Sequence, residues 1–306
     1  MSFLRTLEAL RTPALDVFFS IITYLGEQTC FMVLAVFLFW CVNKRQAYYL
    51  FSVAFFGTTA SQFLKLWYRI PRPWVVDPGF TIVEAARAAA IGYSFPSGHT
   101  QNIVGTLGVI ALENKKRPLR ILCAALLVLV PFSRMYLGVH TPLDVGVAFA
   151  LALVLLALLY PCFRTDERTA RAMPWILALL VATAAAYLLF VLRYSFPADI
   201  DPENLSSGIK NGYTMAGAML ALVVAYLFDR RYLHFETRAP LAGQILKLVL
   251  GLALMMGLRV GLKPVLQSLL PDGAADLVRY FLIVVFGGCL WPMTFPFFQR
   301  IGAHKS

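Results

Sequence analysis

The stretch YSFPSGHTQNIVGTLGVIAL, residues 93–112, places a short polar run directly before a long apolar segment. Its Pro96-Ser97-Gly98-His99 run combines a small hydroxyl, an unhindered backbone and an imidazole. We expect a helix to begin here, with backbone N–H groups that have no partner within the helix. Such a helix start attracts anions, and an imidazole beside it can exchange protons near neutral pH. The sequence therefore predicts an anion site that carries an acid–base group.

The composition decides the class of protein. The chain has 306 residues, of which 59% are hydrophobic and only 14% charged, and its mean hydropathy is +0.72. These values lie outside the range of ordinary soluble domains and predict a polytopic membrane protein. The net charge of +11 is carried by short basic clusters between apolar segments, a pattern typical of membrane orientation signals. We therefore expect no nucleic-acid partner.

Apolar segments long enough to span a bilayer recur along the whole chain and predict an all-α transmembrane bundle of about nine spans. The predicted spans are Gln28–Val42, Ala47–Lys65, Thr100–Leu112, Ile121–Gly138, Pro142–Phe163, Pro174–Leu192, Tyr213–Phe228, Ile245–Leu262 and Leu277–Phe295. The first and third are short, so we extend them into the polar flanks around Glu27 and His99. Before them, Thr12-Pro13 predicts a helix start, and the short helix that follows is expected to lie in the membrane interface.

The basic loop residues sort to one side of these spans, which predicts that this side is cytoplasmic. They are Lys44, Arg45, Lys115, Lys116, Arg117, Arg120, Arg164, Arg168, Arg171, Arg230, Arg231, Arg238, Arg300 and Lys305. The N-terminus is then extracytoplasmic and the C-terminus cytoplasmic. We expect an integral, multi-pass protein of the inner (plasma) membrane if the source is bacterial, or of the endoplasmic reticulum if it is eukaryotic.

A second cluster, KLWYRIPRP at residues 65–73, lies at the outer end of the second span. Lys65 and Arg72 are seven residues apart, so two helical turns would place both cations on one face before the prolines end the helix. The alternative interpretation is that both side chains reach toward the interface from a helix end, as Lys and Arg often do.

A third cluster, SRMYLGVHTPLD at residues 133–144, precedes the fifth span. Thr141 and Asp144 have the spacing of a capping box that begins the helix, and the carboxylate would then face His140. A carboxylate on one imidazole nitrogen leaves the other free to act as base or nucleophile. Alternatively, Asp144 only caps the helix. Arg134 lies within an apolar run, and an intramembrane arginine indicates function.

Together the three clusters resemble the type 2 phosphatidate phosphatase family. The family signature is Lys, six residues, Arg-Pro; then Pro-Ser-Gly-His; then Ser-Arg, five residues, His, three residues, Asp, and every position matches in this sequence. The resemblance covers about Tyr24 to Phe163, is strongest to the membrane-embedded lipid phosphatases, and implies a six-helix phosphatase core. The nine-span layout is also similar to the glucose-6-phosphatase branch, by topology alone.

The resemblance implies a role for each matching residue. His140 would be the nucleophile that forms a phosphohistidine, with Asp144 orienting it, and His99 would be the acid and later the base. The phosphate oxygens would be bound by Lys65, Arg72, Ser97, Gly98 and Arg134. The resemblance implies no cofactor and no metal. The two remaining histidines, His234 and His304, both fall on the predicted cytoplasmic side.

We expect a single integral membrane domain over residues 1–306. Residues 1–26 form an N-terminal segment with the interfacial helix, residues 27–193 the core with all the motifs, and residues 194–306 additional transmembrane helices. Thr81 and Glu84 predict a second capping box and a short helix, either a lid or an interfacial element. Arg259 and Lys263 are interpreted as snorkelling side chains or as part of a second basic patch.

The predicted function is hydrolysis of a lipid phosphate or lipid diphosphate at the extracytoplasmic membrane interface. The expected partners are the bilayer and a phosphorylated lipid, and the sequence leaves the oligomeric state and the identity of the lipid open. Three alternatives stay open as well: a phosphatase of soluble sugar phosphates, a lipid phosphotransferase, and a non-enzymatic lipid transporter or scramblase.

Overall fold

The computed structural model describes residues 1–301 and contains helices but no β-strand over that range. Lys305 and His304, which figure in the sequence predictions, lie outside the described residues. The α-helices are α1 (Ser2–Ala9), α2 (Pro13–Tyr24), α3 (Gln28–Phe37), α4 (Lys44–Tyr68), α5 (Pro73–Val76), α6 (Gly98–Glu113), α7 (Arg117–Tyr136), α8 (Pro142–Leu159), α9 (Asp166–Arg193), α10 (Pro202–Phe228), α11 (Leu241–Leu269), α12 (Asp272–Val285) and α13 (Phe295–Arg300). Short π-helical turns extend α3, α10 and α12.

The chain divides into two compact units. Unit 1 comprises Met1–Met32, Tyr49–Arg164 and Ser195–Gly208, and unit 2 comprises Val33–Tyr48, Thr165–Tyr194 and the residues from Ile209 onward. All residues of the three sequence clusters belong to unit 1.

Within residues 1–301, six helices are long and apolar enough to cross a membrane, or seven if α2 and the α3 segment, which meet at 45°, count as one span. The prediction of an all-α, polytopic protein is confirmed. The predicted count of nine spans is not confirmed, although each predicted span coincides largely with helix. α6 has only 16 residues and is short for a bilayer core of about 30 Å.

α8 shows how such a helix divides its surface between protein and lipid. Its buried residues, among them Val145, Ala148, Ala152 and Leu156, recur at helical spacing, while Leu158 on another face is 68% exposed. An added Cβ on Gly108 of α6 would overlap the side chain of Leu156. The missing side chain therefore lets α6 and α8 approach closely, as small residues do in membrane proteins.

α4 ends before the second cluster does. It stops at Tyr68, and Arg69 takes the left-handed conformation with φ of 49°. Lys65 is thus in the last turn of α4, whereas Arg72 lies beyond it in extended backbone. The expectation that both cations share one helical face is wrong, because α4 ends at Tyr68 and the backbone changes direction at Arg69, three residues before Arg72.

Two of the predicted helix starts differ in outcome. Thr12 caps α2 by accepting a hydrogen bond from the Leu15 N–H, as predicted. Thr81 caps nothing: only a single 3₁₀ turn, Glu84–Ala86, follows it. Its backbone N–H and hydroxyl donate instead to the Glu8 carboxylate of α1, so a tertiary partner replaces the local one.

Candidate active site

His140 lies in the turn between α7 and α8, beside the carboxylate that begins α8. The capping box is present: the Asp144 N–H donates to the Thr141 hydroxyl at 3.2 Å, and the Asp144 carboxylate accepts from the Thr141 N–H at 2.7 Å. The same carboxylate oxygen lies 3.5 Å from Nδ1 of His140. Both side chains are buried. Asp144 therefore serves as helix cap and as neighbour of the imidazole at once.

Gly138 makes the turn that carries His140. Its φ is 82°, which L side chains rarely adopt, and an added Cβ would lie 2.7 Å from an Arg11 nitrogen. The turn is closed by N–H groups of Val139 and His140, which donate to the carbonyl oxygen of Arg134. The imidazole and Arg134 are thereby held in one short segment.

Arg72 also contacts the imidazole of His140, and its Nη1 lies within 3.5 Å of both ring nitrogens. Its Nη1 lies 3.0 Å from Nε2 of His140 and donates to the carbonyl oxygen of Val139 at 2.9 Å. Nε and Nη2 donate to the carbonyl oxygens of Gly92 and Ile91, each at 3.0 Å. Because its carbonyl partners come from two separate loops, Arg72 joins the segment before α6 to the segment before α8.

α6 begins at the predicted point, with Ser97 as its N-cap. Ser97 is fully buried, and its hydroxyl accepts from the Thr100 N–H at 3.4 Å. The backbone N–H of Ser97 donates to the carbonyl oxygen of Asp144 at 3.1 Å. An added Cβ on Gly98 would meet no atom within 4 Å outside its chain neighbours and its own helix backbone, so there is open space beside the first residue of α6. Nε2 of His99 is buried and has no hydrogen-bond partner.

Two further cations are buried nearby. Lys65 donates from Nζ to the carbonyl oxygen of Tyr93, at the start of the quoted stretch. Arg134 is fully buried and donates from Nη1 to the hydroxyl of Thr23 at 2.7 Å, while its Nε and Nη2 have no partner. Buried donors without acceptors are costly, so these atoms mark a place where an anion would be stabilised.

The charges act on one another. Burial, followed by the positive charges of Arg72, Arg134 and Lys65, holds the pKa of His140 well below its usual value, and His99 contributes in the same direction. The imidazole is therefore neutral at pH 7. Burial also lowers the pKa of Arg72 to about 10, against the opposing effect of Asp144, so this guanidinium stays charged.

All eight predicted site residues belong to this one region of unit 1. The sequence analysis missed Ser94, whose hydroxyl donates to the Asp144 carboxylate at 2.6 Å and lies 3.4 Å from Nδ1 of His140. Its position inside the quoted stretch was the available signal. It also missed Thr23, for which no motif exists. Across residues 1–301, no three His, Cys, Asp or Glu side chains come together as potential metal ligands.

Comparison with known proteins identifies the family of this chain. Residues 45–168 match the model of the PAP2 superfamily, and residues 213–303 match that of the PAP2 superfamily phosphatase, transmembrane extension. The chain is 30% identical over 163 residues to phosphatidylglycerophosphatase B of Bacillus subtilis (strain 168), an alignment that covers 48% of this chain and 74% of the relative. No solved structure matches the chain.

The first family match contains all eight predicted site residues, and the second covers the helices of unit 2 from α10 onward. The apolar helices make the chain an integral, multi-pass membrane protein. The chain belongs to the PAP2 superfamily, in its membrane-embedded phosphatase branch.

Proposed function

We propose that this protein hydrolyses a phosphorylated lipid through a phosphohistidine on His140, without a metal ion. Nε2 of His140 attacks phosphorus and the bond to the leaving alkoxide breaks. His99 gives that oxygen its proton, so the lipid leaves as an alcohol. His99 then takes a proton from water, the water oxygen attacks the phosphohistidine, and inorganic phosphate leaves with His140 restored.

The observation that carries the proposal is that the buried His140 imidazole has a carboxylate 3.5 Å from Nδ1 and a guanidinium nitrogen 3.0 Å from Nε2. Asp144 favours the tautomer with the proton on Nδ1 and stabilises the positive charge that develops on attack. A phosphate bound to Arg72 would lie next to Nε2. Burial and the nearby cations lower the pKa of both His140 and His99, so the His140 imidazole is neutral and nucleophilic, and the negative charge of a bound phosphate would raise the pKa of His99 toward that of an acid.

The remaining donors would bind the non-bridging oxygens. Lys65 and Arg134 supply buried positive charge, and the Gly98 N–H and the Ser97 hydroxyl would supply neutral donors at the start of α6, where there is open space beside Gly98. Donors fixed in a water-poor site stabilise the charge that spreads over the oxygens as the phosphoryl group moves. Such a cluster, in which three buried cations outnumber the carboxylates of Asp144 and Glu27, fits an anionic group.

The substrate is a lipid phosphate or lipid diphosphate. The Bacillus subtilis relative is named phosphatidylglycerophosphatase B, and in this chain the proposed site includes the adjoining ends of α7 and α8, two helices apolar enough to cross a membrane, so a headgroup bound there would have its hydrocarbon beside them. The test is phosphate release by protein purified in detergent, with EDTA present, from long-chain lipid phosphates and from short soluble phosphates. We expect turnover with EDTA, inhibition by vanadate, and much lower kcat on short substrates. Strict dependence on a divalent ion would contradict the mechanism.

We further propose that the site faces the extracytoplasmic side. The basic loop between α6 and α7 supports this orientation, since the site residues lie at the opposite ends of these helices. Single cysteines at Lys115 and at Asp201 provide the test in intact cells or sealed vesicles. A membrane-impermeant maleimide should label the cysteine at position 201 from outside and that at position 115 only after lysis. The reverse pattern would place the site on the inner side.

A further inference from the structure

The N-terminal segment lies outside the stretch that matches the PAP2 model, yet it contacts two of the site residues. Thr23, near the end of α2, is buried and accepts the hydrogen bond from Arg134. An added Cβ on Gly26, just after α2, would lie 3.1 Å from Cβ of His99 and 3.2 Å from its carbonyl oxygen. The bend after α2 is therefore part of the wall around the proposed phosphate site.

The start of α2 also contacts the last turn of α7. Arg11, just before α2, donates from Nε to the carbonyl oxygen of Tyr136 at 3.0 Å, and the Tyr136 hydroxyl donates to Asp16 at 2.9 Å. The ring of Phe19 packs on the ring of Tyr136, with centroids 4.4 Å apart. These contacts hold α2 along the last turns of α7, so the distance between Thr23 and Arg134 does not depend on one bond.

The hydrogen bond to Thr23 determines which atoms of Arg134 are available. It occupies Nη1 and leaves Nε and Nη2, the two atoms of one guanidinium edge, buried and without partners. Two parallel donors on one edge match two oxygens of a phosphate, a geometry specific to arginine. Without an acceptor at Nη1, rotation about the Cδ–Nε and neighbouring bonds would be free to turn this edge away.

We propose that Thr23 is a positioning residue for the phosphatase reaction: by accepting from Nη1 of Arg134, it aims the Nε–Nη2 edge of that guanidinium at the substrate phosphate. Helix α2 thereby completes the active site. This inference rests on the proposed function of Arg134 as a phosphate ligand.

A double-mutant cycle tests the inference. The variants are Thr23→Val, which keeps the shape and removes the hydroxyl, Thr23→Ser, Arg134→Ala, and the Thr23→Val/Arg134→Ala pair. Thr183→Val is the matched control, because the Thr183 hydroxyl donates only within its own helix in unit 2. The readouts are kcat and KM with a lipid phosphate in detergent micelles, and the inhibition constant of inorganic phosphate.

We expect Thr23→Val to lose about tenfold in kcat/KM and to weaken phosphate inhibition by a similar factor, the size of one hydrogen bond to a charged group. Thr23→Ser and Thr183→Val should stay near the unmodified protein. In the Arg134→Ala background, Thr23→Val should cost nothing more, because the group it positions is gone.

Unchanged kinetics of Thr23→Val, or an equal loss in both backgrounds, would overturn the inference while leaving the proposed function intact. Full activity of Arg134→Ala would instead remove Arg134 from the proposed function, and Thr23 with it. If Thr23→Val aggregates in detergent, the activities of Thr23→Ala and Thr23→Ser are compared instead. Equal activity of those two would show that the hydroxyl has no role.

Discussion

Units 1 and 2 both bury charged side chains, but they satisfy them differently. In unit 2 the fully buried Lys247 donates from Nζ to the carbonyl oxygens of Trp40 and Thr237, each at 2.9 Å, and lies 4.6 Å from the centre of the Phe295 ring. Asp229 accepts from Lys44 at 2.7 Å and from the Phe235 N–H at 3.1 Å. Each of these charges has several partners within its own unit.

In unit 1 the buried cations have fewer partners. Lys65, Arg72 and Arg134 are buried near the carboxylate of Asp144, the charge of Glu27 also acts on Arg134, and Arg134 retains two donors without acceptors. Nε2 of His99 is also without a partner. Since each unsatisfied buried donor costs stability, this arrangement is unfavourable unless a ligand supplies acceptors. Burial of a charge alone therefore does not indicate function, and neither does one leftover donor, because Arg279 of unit 2 is paired with Asp276 and still keeps Nε without a partner. In unit 1 the leftover donors of Arg134 occur together with further buried cations and an imidazole nitrogen without a partner.

Removing the proposed nucleophile should have the largest effect. His140→Ala eliminates the attacking nitrogen, and enzymes that lose their nucleophile fall by up to about 10⁶ in kcat. No acid-labile phosphate should be trapped on quenched protein. His234→Ala is the control, because this histidine lies in unit 2. A phosphorylated residue mapped in the His140→Ala protein would show that the nucleophile is a different side chain.

Asp144→Asn should come next. The amide keeps much of the shape but favours the wrong imidazole tautomer, and carboxylate-oriented histidines lose up to about 10⁴ in kcat on this change. Because Asp144 also caps α8, the melting temperature must be measured beside kcat. Asp272→Asn, in the first turn of α12 in unit 2, is the matched control. A loss of stability with kcat retained would reduce Asp144 to a helix cap.

His99→Ala should reduce turnover of lipid phosphates by about 10² to 10⁴, the usual contribution of an acid–base group. With p-nitrophenyl phosphate, whose leaving group hardly needs a proton, the first step should persist and the phosphohistidine should accumulate. The measurement is the amount of phosphate on quenched protein over time. Trapped phosphate on His99 in the unmodified enzyme would reverse the two assignments.

The charge of Arg72 should set the acid limb of the pH profile. In the free protein the pKa of His140 is low, so kcat/KM should fall only well below pH 6.5. Replacing Arg72 by Gln removes a positive charge, which raises the pKa of His140 and moves the acid limb toward higher pH. Arg72→Lys keeps the charge and should not move it. Identical limbs in all three proteins would exclude His140 as the titrating group.

Lys247→Met should have the smallest effect on activity and so tests the other half of the comparison. It leaves the buried Trp40 carbonyl oxygen without this donor, while the Thr237 carbonyl oxygen keeps the hydrogen bond from Gln244, and we expect it to cost about 2 kcal/mol of stability and lower the melting temperature by about 5 °C. kcat and KM should stay within twofold. Lys263→Met, at an exposed position, is the control and should change neither. A large fall in kcat would show that buried charge in unit 2 also serves catalysis.

Much of the fold follows from the sequence because long apolar runs in a membrane can only be helices. The start of α6 at Gly98 and the capping box of α8 were predictable, since both depend on residues three or four positions apart. The proximity of the three clusters followed from the match to a known motif order. These features use local chemistry or a pattern that the chain itself displays.

The failures come from features that a single sequence does not display. Thr81 lost its local role because Glu8 of α1 offers a carboxylate to it. Lys65 and Arg72 were assigned to one helix because nothing in the residues before Pro71 signals a left-handed Arg69. Thr23 shares no motif with Arg134, which follows 111 residues later. Contacts of this kind depend on packing that one sequence does not reveal.

The backbone bond from the Ser97 N–H to the Asp144 carbonyl oxygen has a mechanical consequence. It joins the first turn of the helix that carries the proposed acid to the first turn of the helix that follows the proposed nucleophile. A bilayer that thins or stretches tilts the helices embedded in it. Because these two are joined at the end nearest the chemistry, we expect them to tilt about a common pivot there, so that membrane tension moves their far ends and leaves the reacting groups in register.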